Sequence, residues 1–183
     1  MIIRFAASAT LLTLVASEAW ATPPLLSSDA DERIYSKNRQ FFAEASADRT
    51  AMVVFRRHKP NDQELYRVGS WHPNSFLSDD GDYFTAGNIG NNLLELTCTL
   101  DETMLIFYRR GSIIKTIRLG EIIGDLRALP RSPSHYLWGH YQGHVSLHRF
   151  GVDTVEGHRL TFDVTTGNQV KSQYLKELRR PPR

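Results

Sequence analysis

From Ala51 onward, short runs of apolar and β-branched residues alternate with clusters of Gly, Asn, Asp and Pro. That punctuation leaves no stretch long enough for a helical core, and it constrains the fold more than any other feature. Met52–Phe55 is β-branched and aromatic, and the turn cluster His58–Asp62 separates it from Glu64–Val68. Phe76-Leu77, the turn Ser78-Asp79-Asp80-Gly81 and Tyr83–Thr85 read as a hairpin, because Asp-Gly supplies the positive φ that a tight turn requires. A Gly- and Asn-rich loop, 87–92, leads to a strand over Leu93–Leu100. Met104–Tyr108 and Ser112–Leu119, joined by Arg109-Arg110-Gly111, are expected to form a central hairpin buried on both sides. Leu119–Gly124 suits a single helical turn, and Asp125–Pro133 a loop. Strands are then expected at His135–His140, at Val145–Phe150 and in a hairpin of Arg159–Val164 and Val170–Leu175 across Thr165–Asn168. The class that follows is all-β and mainly antiparallel: a partial β-propeller or a stacked β-meander, with one short N-terminal helix.

The N-terminal part obeys other rules. Met1–Arg4 carries one positive charge, Phe5–Ala16 is apolar apart from small Ser and Thr, and Ala19-Trp20-Ala21 places small residues before Thr22. These are the three parts of a cleavable secretory signal peptide over residues 1–21, and the apolar run is too short to span a bilayer. The expected location is therefore periplasmic or extracellular, with no transmembrane segment after cleavage. Residues 22–45 read as an extended lead-in and a short helix, Asp29–Ala45, with Ile34, Phe41, Phe42 and Ala45 on one face; Phe41-Phe42 equally suits the opening of a first strand. Residues 46–175 make the β-rich domain and residues 176–183 a basic tail. The remainder beyond Ala21 has the length of one ordinary domain and can bury a core without disulfides. It could not form an internal one, since Cys98 is the only cysteine. Net charge is +2 with both signs well mixed, which gives no reason to expect nucleic acid.

Two hairpins look alike. Phe107–Lys115 aligns with Phe162–Lys171 when one residue is inserted, so that Gly111 and Gly167 correspond. Together with Phe76–Tyr83, Leu105–Lys115, Ser134–Gly139 and Phe162–Gly167, these segments resemble a group of uncharacterised exported bacterial proteins with propeller-like β repeats. The resemblance covers roughly residues 45–175; it implies structure and carries no activity. A closed propeller needs at least four blades, and this chain has room for two or three. A partial propeller, an open stack of sheets and half of a dimer are the arrangements that follow.

Histidines supply the main candidate for chemistry. His135, His140, His144, His148 and His158 gather in one stretch. His140, His144 and His148 are the candidate ligands for zinc or copper, because imidazoles converging on one point bind those ions. On a strand His144 and His148, four apart, share a side, and His140 joins them if Gln142-Gly143 makes a bend. No other cofactor is indicated. Asp79-Asp80-Gly81-Asp82 lacks the alternating ligands and distant Glu of a helix-loop-helix calcium site. No G-x-S-x-G nucleophile elbow is present. Trp71 and His72, in a loop, and Trp138 are candidate binding residues for an envelope protein, peptide or glycan, although aromatic residues also belong in β cores. The expectation is a non-enzymatic exported binding module; the alternative is a metal-dependent or carboxylate hydrolase of the cell envelope using His135–His158.

Overall fold

The computed structural model describes residues 33–175. The expected signal peptide, residues 22–32 of the lead-in and the basic tail lie outside the described residues. Fourteen strands run in chain order: β1 (Ile34–Tyr35), β2 (Phe41–Ala45), β3 (Met52–Arg56), β4 (Gln63–Val68), β5 (Ser75–Leu77), β6 (Tyr83–Gly87), β7 (Leu93–Glu95), β8 (Thr103–Arg109), β9 (Ser112–Arg118), β10 (His135–Leu137), β11 (Gly139–Ser146), β12 (Arg149–Thr154), β13 (His158–Asp163) and β14 (Asn168–Tyr174). All pairings are antiparallel. They make three four-stranded sheets, β1-β2-β3-β4, β5-β6-β8-β9 and β11-β12-β13-β14, and a small ladder of β7 with β10. Two short 3-10 turns, Leu119–Glu121 and Leu126–Ala128, cross the connection between the second and third sheets. No helix among the described residues is long and apolar enough to cross a membrane.

Each sheet is a meander in sequence order, and the first strands meet: β5 packs against β1 and β2 on the first sheet and against β11 on the third. Consecutive four-stranded meanders with their first strands gathered together form a partial β-propeller. The second sheet is buried on both faces. Phe84, Ala86 and Tyr108 face the first sheet, where they meet Phe41, Ala43, Met52, Val54 and Val68. Tyr83, Leu105, Phe107 and Ile117 face the third, where they meet Phe150, Val152, Leu160 and Phe162. Neighbouring residues of one strand, Phe107 and Tyr108, thus belong to different cores, as the alternation of a strand demands.

The repeat extends to the first sheet, where the sequence hid it. In every sheet the pairing of the third and fourth strands slips by one residue: at Val54/Phe55, at Phe107/Tyr108 and at Thr161/Phe162. The residues after the slip, Phe55, Tyr108 and Phe162, recur at intervals of roughly 54 residues, close to the length of a propeller blade. Each sheet therefore has a back face (Phe55, Tyr108, Phe162) and a front face (Val54, Phe107, Thr161). Tyr108 and Phe162 pack on the preceding sheet, and Val54 and Phe107 on the following one. Phe55 and Thr161 are the end members, with no further sheet among the described residues to pack on.

Several expectations are corrected. The described part of Asp29–Ala45 is not helical: β1 and β2 form a hairpin whose turn holds Arg39 at φ 58°. Phe41 and Phe42 are both buried because they serve opposite faces of β2, an arrangement that adjacent aromatics on a helix cannot give. In the Met104–Leu119 hairpin only β8 is central. β9 is an edge strand, and its Ile113 is 63% exposed. The strand expected at Leu93–Leu100 stops at Glu95, and Cys98 lies in the turn that follows, half-buried.

The two cores predict different mutational costs. Phe107→Ala empties a site that is 0% exposed between the second and third sheets and is expected to cost about 3–5 kcal/mol of unfolding free energy. Ile113→Ala, on the rim of the same sheet, is expected to stay within about 0.5 kcal/mol. Urea denaturation of the two variants checks both figures.

Candidate functional site

The third sheet gathers most of the polar chemistry. Its front face carries one buried carboxylate, Asp153, 2% exposed near the end of β12. Register places His140 on one side of it and Arg159 on the other. Arg159 grips it twice, Nε to Oδ1 at 2.7 Å and Nη2 to Oδ2 at 2.7 Å. Gln142 donates from Nε2 to Oδ2 at 2.8 Å, and the same amide nitrogen lies 2.6 Å from His140 Nε2. With His140 neutral and accepting at Nε2, the two hydrogens of the Gln142 amide serve His140 and Asp153 together. His140 Nε2 is itself 3.6 Å from Asp153 Oδ2. The carboxylate thus accepts three hydrogen bonds, two from a bidentate guanidinium and one from an amide, and it organises the face.

The histidines expected to converge are dispersed, and the cause is a β-bulge. The β11–β12 pairing slips between Tyr141 and Gly143. Without the slip, His140 and His144 would share a face. With it, His140 stands opposite Asp153 on the front face, and His144 stands opposite Phe150 on the core side. His144 packs edge-on to Phe150, with ring centroids 5.6 Å apart. Neither of its ring nitrogens makes a well-formed hydrogen bond among the described residues, although the Phe76 backbone is a polar neighbour. Burial pushes its pKa down to about 4, and the charges of Asp80 and Asp79 only partly offset that. His148 is not on a strand at all. It occupies the two-residue turn Leu147-His148, 3.7 Å from Asp80 Oδ2 and edge-on to Tyr83. Among the described residues no three His, Cys, Asp or Glu side chains are grouped to hold a metal ion.

The aromatic candidates separate in the same way. Trp138 is 0% exposed, and its indole N–H donates to the Asn91 carbonyl at 2.6 Å, so it is a core residue that also ties down the 87–92 loop. A wholly enclosed ring offers no surface to a ligand. Trp71 is half-buried against the first core, with the Arg49 guanidinium 5.8 Å from its ring. His72 Nε2 lies 3.2 Å from the Tyr108 hydroxyl, and burial lowers its pKa. The remaining histidines lie elsewhere: His135 on β10 contacts the Ser134 hydroxyl, and His158 on β13 stacks edge-on with Tyr174. His158 also lines an open cleft of about 510 Å³ with Gly124, Ala128, Val155, Glu156 and Tyr174.

No protein-family model matches the chain, and no curated protein matches its sequence. Among solved structures it is similar to the WD40 repeats of RRP9, with a TM-score of 0.40 and 8% identity over 78% of this chain and 37% of that one. It is also similar to a protein assigned as a 6-phosphogluconolactonase from Bacteroides fragilis, with a TM-score of 0.36 and 15% identity over 78% of this chain and 38% of that one. The chain thus spans well under two thirds of the length of either protein.

Sequence reasoning missed the pairing of Asp153 with Arg159 and the role of Gln142. The signal was local: Asp153 and Arg159 flank a Gly-containing turn at matching distances, and a hairpin closed there sets them opposite each other.

His144 gives this region a defined pH response. Its folded-state pKa of about 4 lies below the ordinary value near 6.5, so the unfolded chain takes up the proton first. Its contribution to stability is complete above about pH 6.5 and drains away as pH falls toward 4. Relative to His144→Phe, which has no such proton to bind, the native chain is expected to lose on the order of 2 kcal/mol between pH 7 and pH 4. Urea melts of both proteins at pH 7, 5.5 and 4 measure that difference; parallel losses would refute it.

Proposed function

We propose that the chain is an exported, non-enzymatic binding module that holds an envelope protein or peptide on the front face of its third sheet. The observation that carries this reading is that face itself. Around the buried Asp153 and its half-exposed partner Arg159, His140, Gln142, Val145, Lys171 and Gln173 are exposed on a four-stranded surface, and no further sheet among the described residues covers them. A buried carboxylate held by a bidentate guanidinium and an amide fixes the positions of the groups around it. The rim offers amide and ammonium donors with one exposed apolar side chain, Val145, which suits a polar protein surface better than a small apolar ligand. The neighbouring edge strand β14 is exposed along its whole length and presents backbone groups to an extended segment. Export is supported by the pattern of residues 1–21.

A photo-crosslinking residue at Thr161, at the centre of the face, is expected to capture an envelope protein in intact cells. The same residue at Ile113, on the rim of the second sheet, is expected to capture none. Lys171→Glu should weaken capture from Thr161. Equal labelling from both positions, or none from Thr161, refutes the assignment of this face.

One observation favours a second reading, a carboxylate hydrolase. The open cleft places Glu156 and His158 at one mouth, an acid and a base of opposite type. A hydrolytic activity of the purified chain that disappears in both Glu156→Gln and His158→Ala, with unchanged melting temperature, would replace the binding reading.

A further inference from the structure

The sheets are joined at their outer strands by a device that recurs. Register sets Tyr66 opposite Val54, Lys115 opposite Phe107 and Lys171 opposite Thr161, so these three residues hold one place on the front faces of β4, β9 and β14. The outer hairpin of each following sheet turns directly on that place. Gly111, at φ 85°, lies against the Arg67 carbonyl and the Tyr66 ring, and Gly167, at φ 70°, lies against the stem of Lys115. A Cβ on Gly111 would collide with the Arg67 carbonyl oxygen, and one on Gly167 with the Lys115 side chain, so both turns demand glycine for space as well as for φ.

Both receiving side chains also donate forward. The Tyr66 hydroxyl donates to the Gly81 carbonyl at 2.8 Å, and Lys115 Nζ donates to Asn168 Oδ1, on the residue after Gly167, at 3.4 Å. The first and second sheets thus each offer a flat seat for a glycine turn and a donor for an oxygen of the sheet that follows. Lys171 has the same place and a stronger donor. It is exposed, and no ion pair or hydrogen bond of its side chain forms among the described residues.

We infer that the partner held on this face is itself an antiparallel β-sheet protein, whose outer hairpin turns on a glycine seated over Lys171, with an oxygen of the same turn accepting from the ammonium. The inference rests on the reading of the front face of the third sheet as a binding surface and names what that surface takes. A second copy of this chain is the weaker occupant. The sheet it would bring is its first, whose outer turn, Arg57–Asp62, has Pro60 in place of glycine and carries Arg57 and Lys59 against Asp62. A bulky, basic turn cannot repeat on Lys171 what Gly167 does on Lys115, and this mismatch keeps copies from stacking end to end.

The test is to map the residue that the photo-crosslinker at Thr161 captures in intact cells making the full chain, since that position leaves Lys171 in place. Phe107 meets Phe162, five residues ahead of Gly167, with ring centroids 5.9 Å apart. The captured residue is therefore expected in a partner strand that leads into a glycine hairpin turn, within about five residues of the glycine. Lys171→Trp, which fills the seat at an exposed position, and replacement of the partner's glycine by valine are each expected to cut capture roughly tenfold, with melting temperatures unchanged. Capture of a helix or an isolated extended segment, or capture undiminished by Lys171→Trp, overturns the inference and leaves the binding reading standing. Capture of this same chain assigns the face to a second copy and overturns it as well. No capture from Thr161 makes Lys171 a solvated edge lysine and removes the reading and the inference together.

Discussion

The rest of the structure depends on the two-sided burial of the second sheet. A sheet buried on one face can be peeled from its neighbour and remain partly hydrated, whereas one packed on both faces ties both neighbours to itself. Phe107 and Tyr108, adjacent in β8, commit the strand to two cores at once. Each fully buried aromatic contributes on the order of 2–3 kcal/mol, and the edge-on contacts of Phe107 with Phe150 and of Phe84 with Tyr108 add to that. Loss of this sheet would leave two meanders, each with one uncovered apolar face, and a single antiparallel meander of that kind is marginal in water.

What the sequence made legible follows from how local the determinants are. The hairpins Phe76–Tyr83, Met104–Leu119 and Arg159–Leu175 announce themselves through two-residue periodicity and Gly-containing turns. The repeat hid in the first sheet because its outer hairpin turns on Arg57–Asp62, with Pro60 where the others have Gly111 and Gly167. Phe41-Phe42 misled for a related reason. Adjacent aromatics fit a helical face as loosely as a strand buried on both sides, and only the packing partners of β2 decide between them. Leu147-His148 turns the chain without any Gly, Pro, Asn or Asp, so a run that alternates cleanly from Val145 to Phe150 is in fact two strands.

The polar site was less legible because it depends on register. The spacing of His140, His144 and His148 predicts a shared face only if β11 is regular, and one slipped residue near Gln142 divides them between core and surface. Asp153 looked like one acid among several. Its burial, its double bond to Arg159 and the bridging amide of Gln142 arise only once β11, β12 and β13 are aligned. The same bulge that dissolves the expected histidine cluster brings Gln142 to the carboxylate.

The contiguity of each meander along the chain bears on how the molecule is made. No strand of the three sheets waits for a partner from a distant part of the sequence, so a chain delivered from its N-terminus closes its first sheet while the rest is still arriving. The second sheet then docks with one face satisfied and the other bare, the face that includes Phe107. Between that moment and the arrival of β11–β14 the nascent molecule is at its stickiest, and the small ladder of β7 with β10, which joins a loop of the second sheet to the start of the third, is placed to shorten the wait.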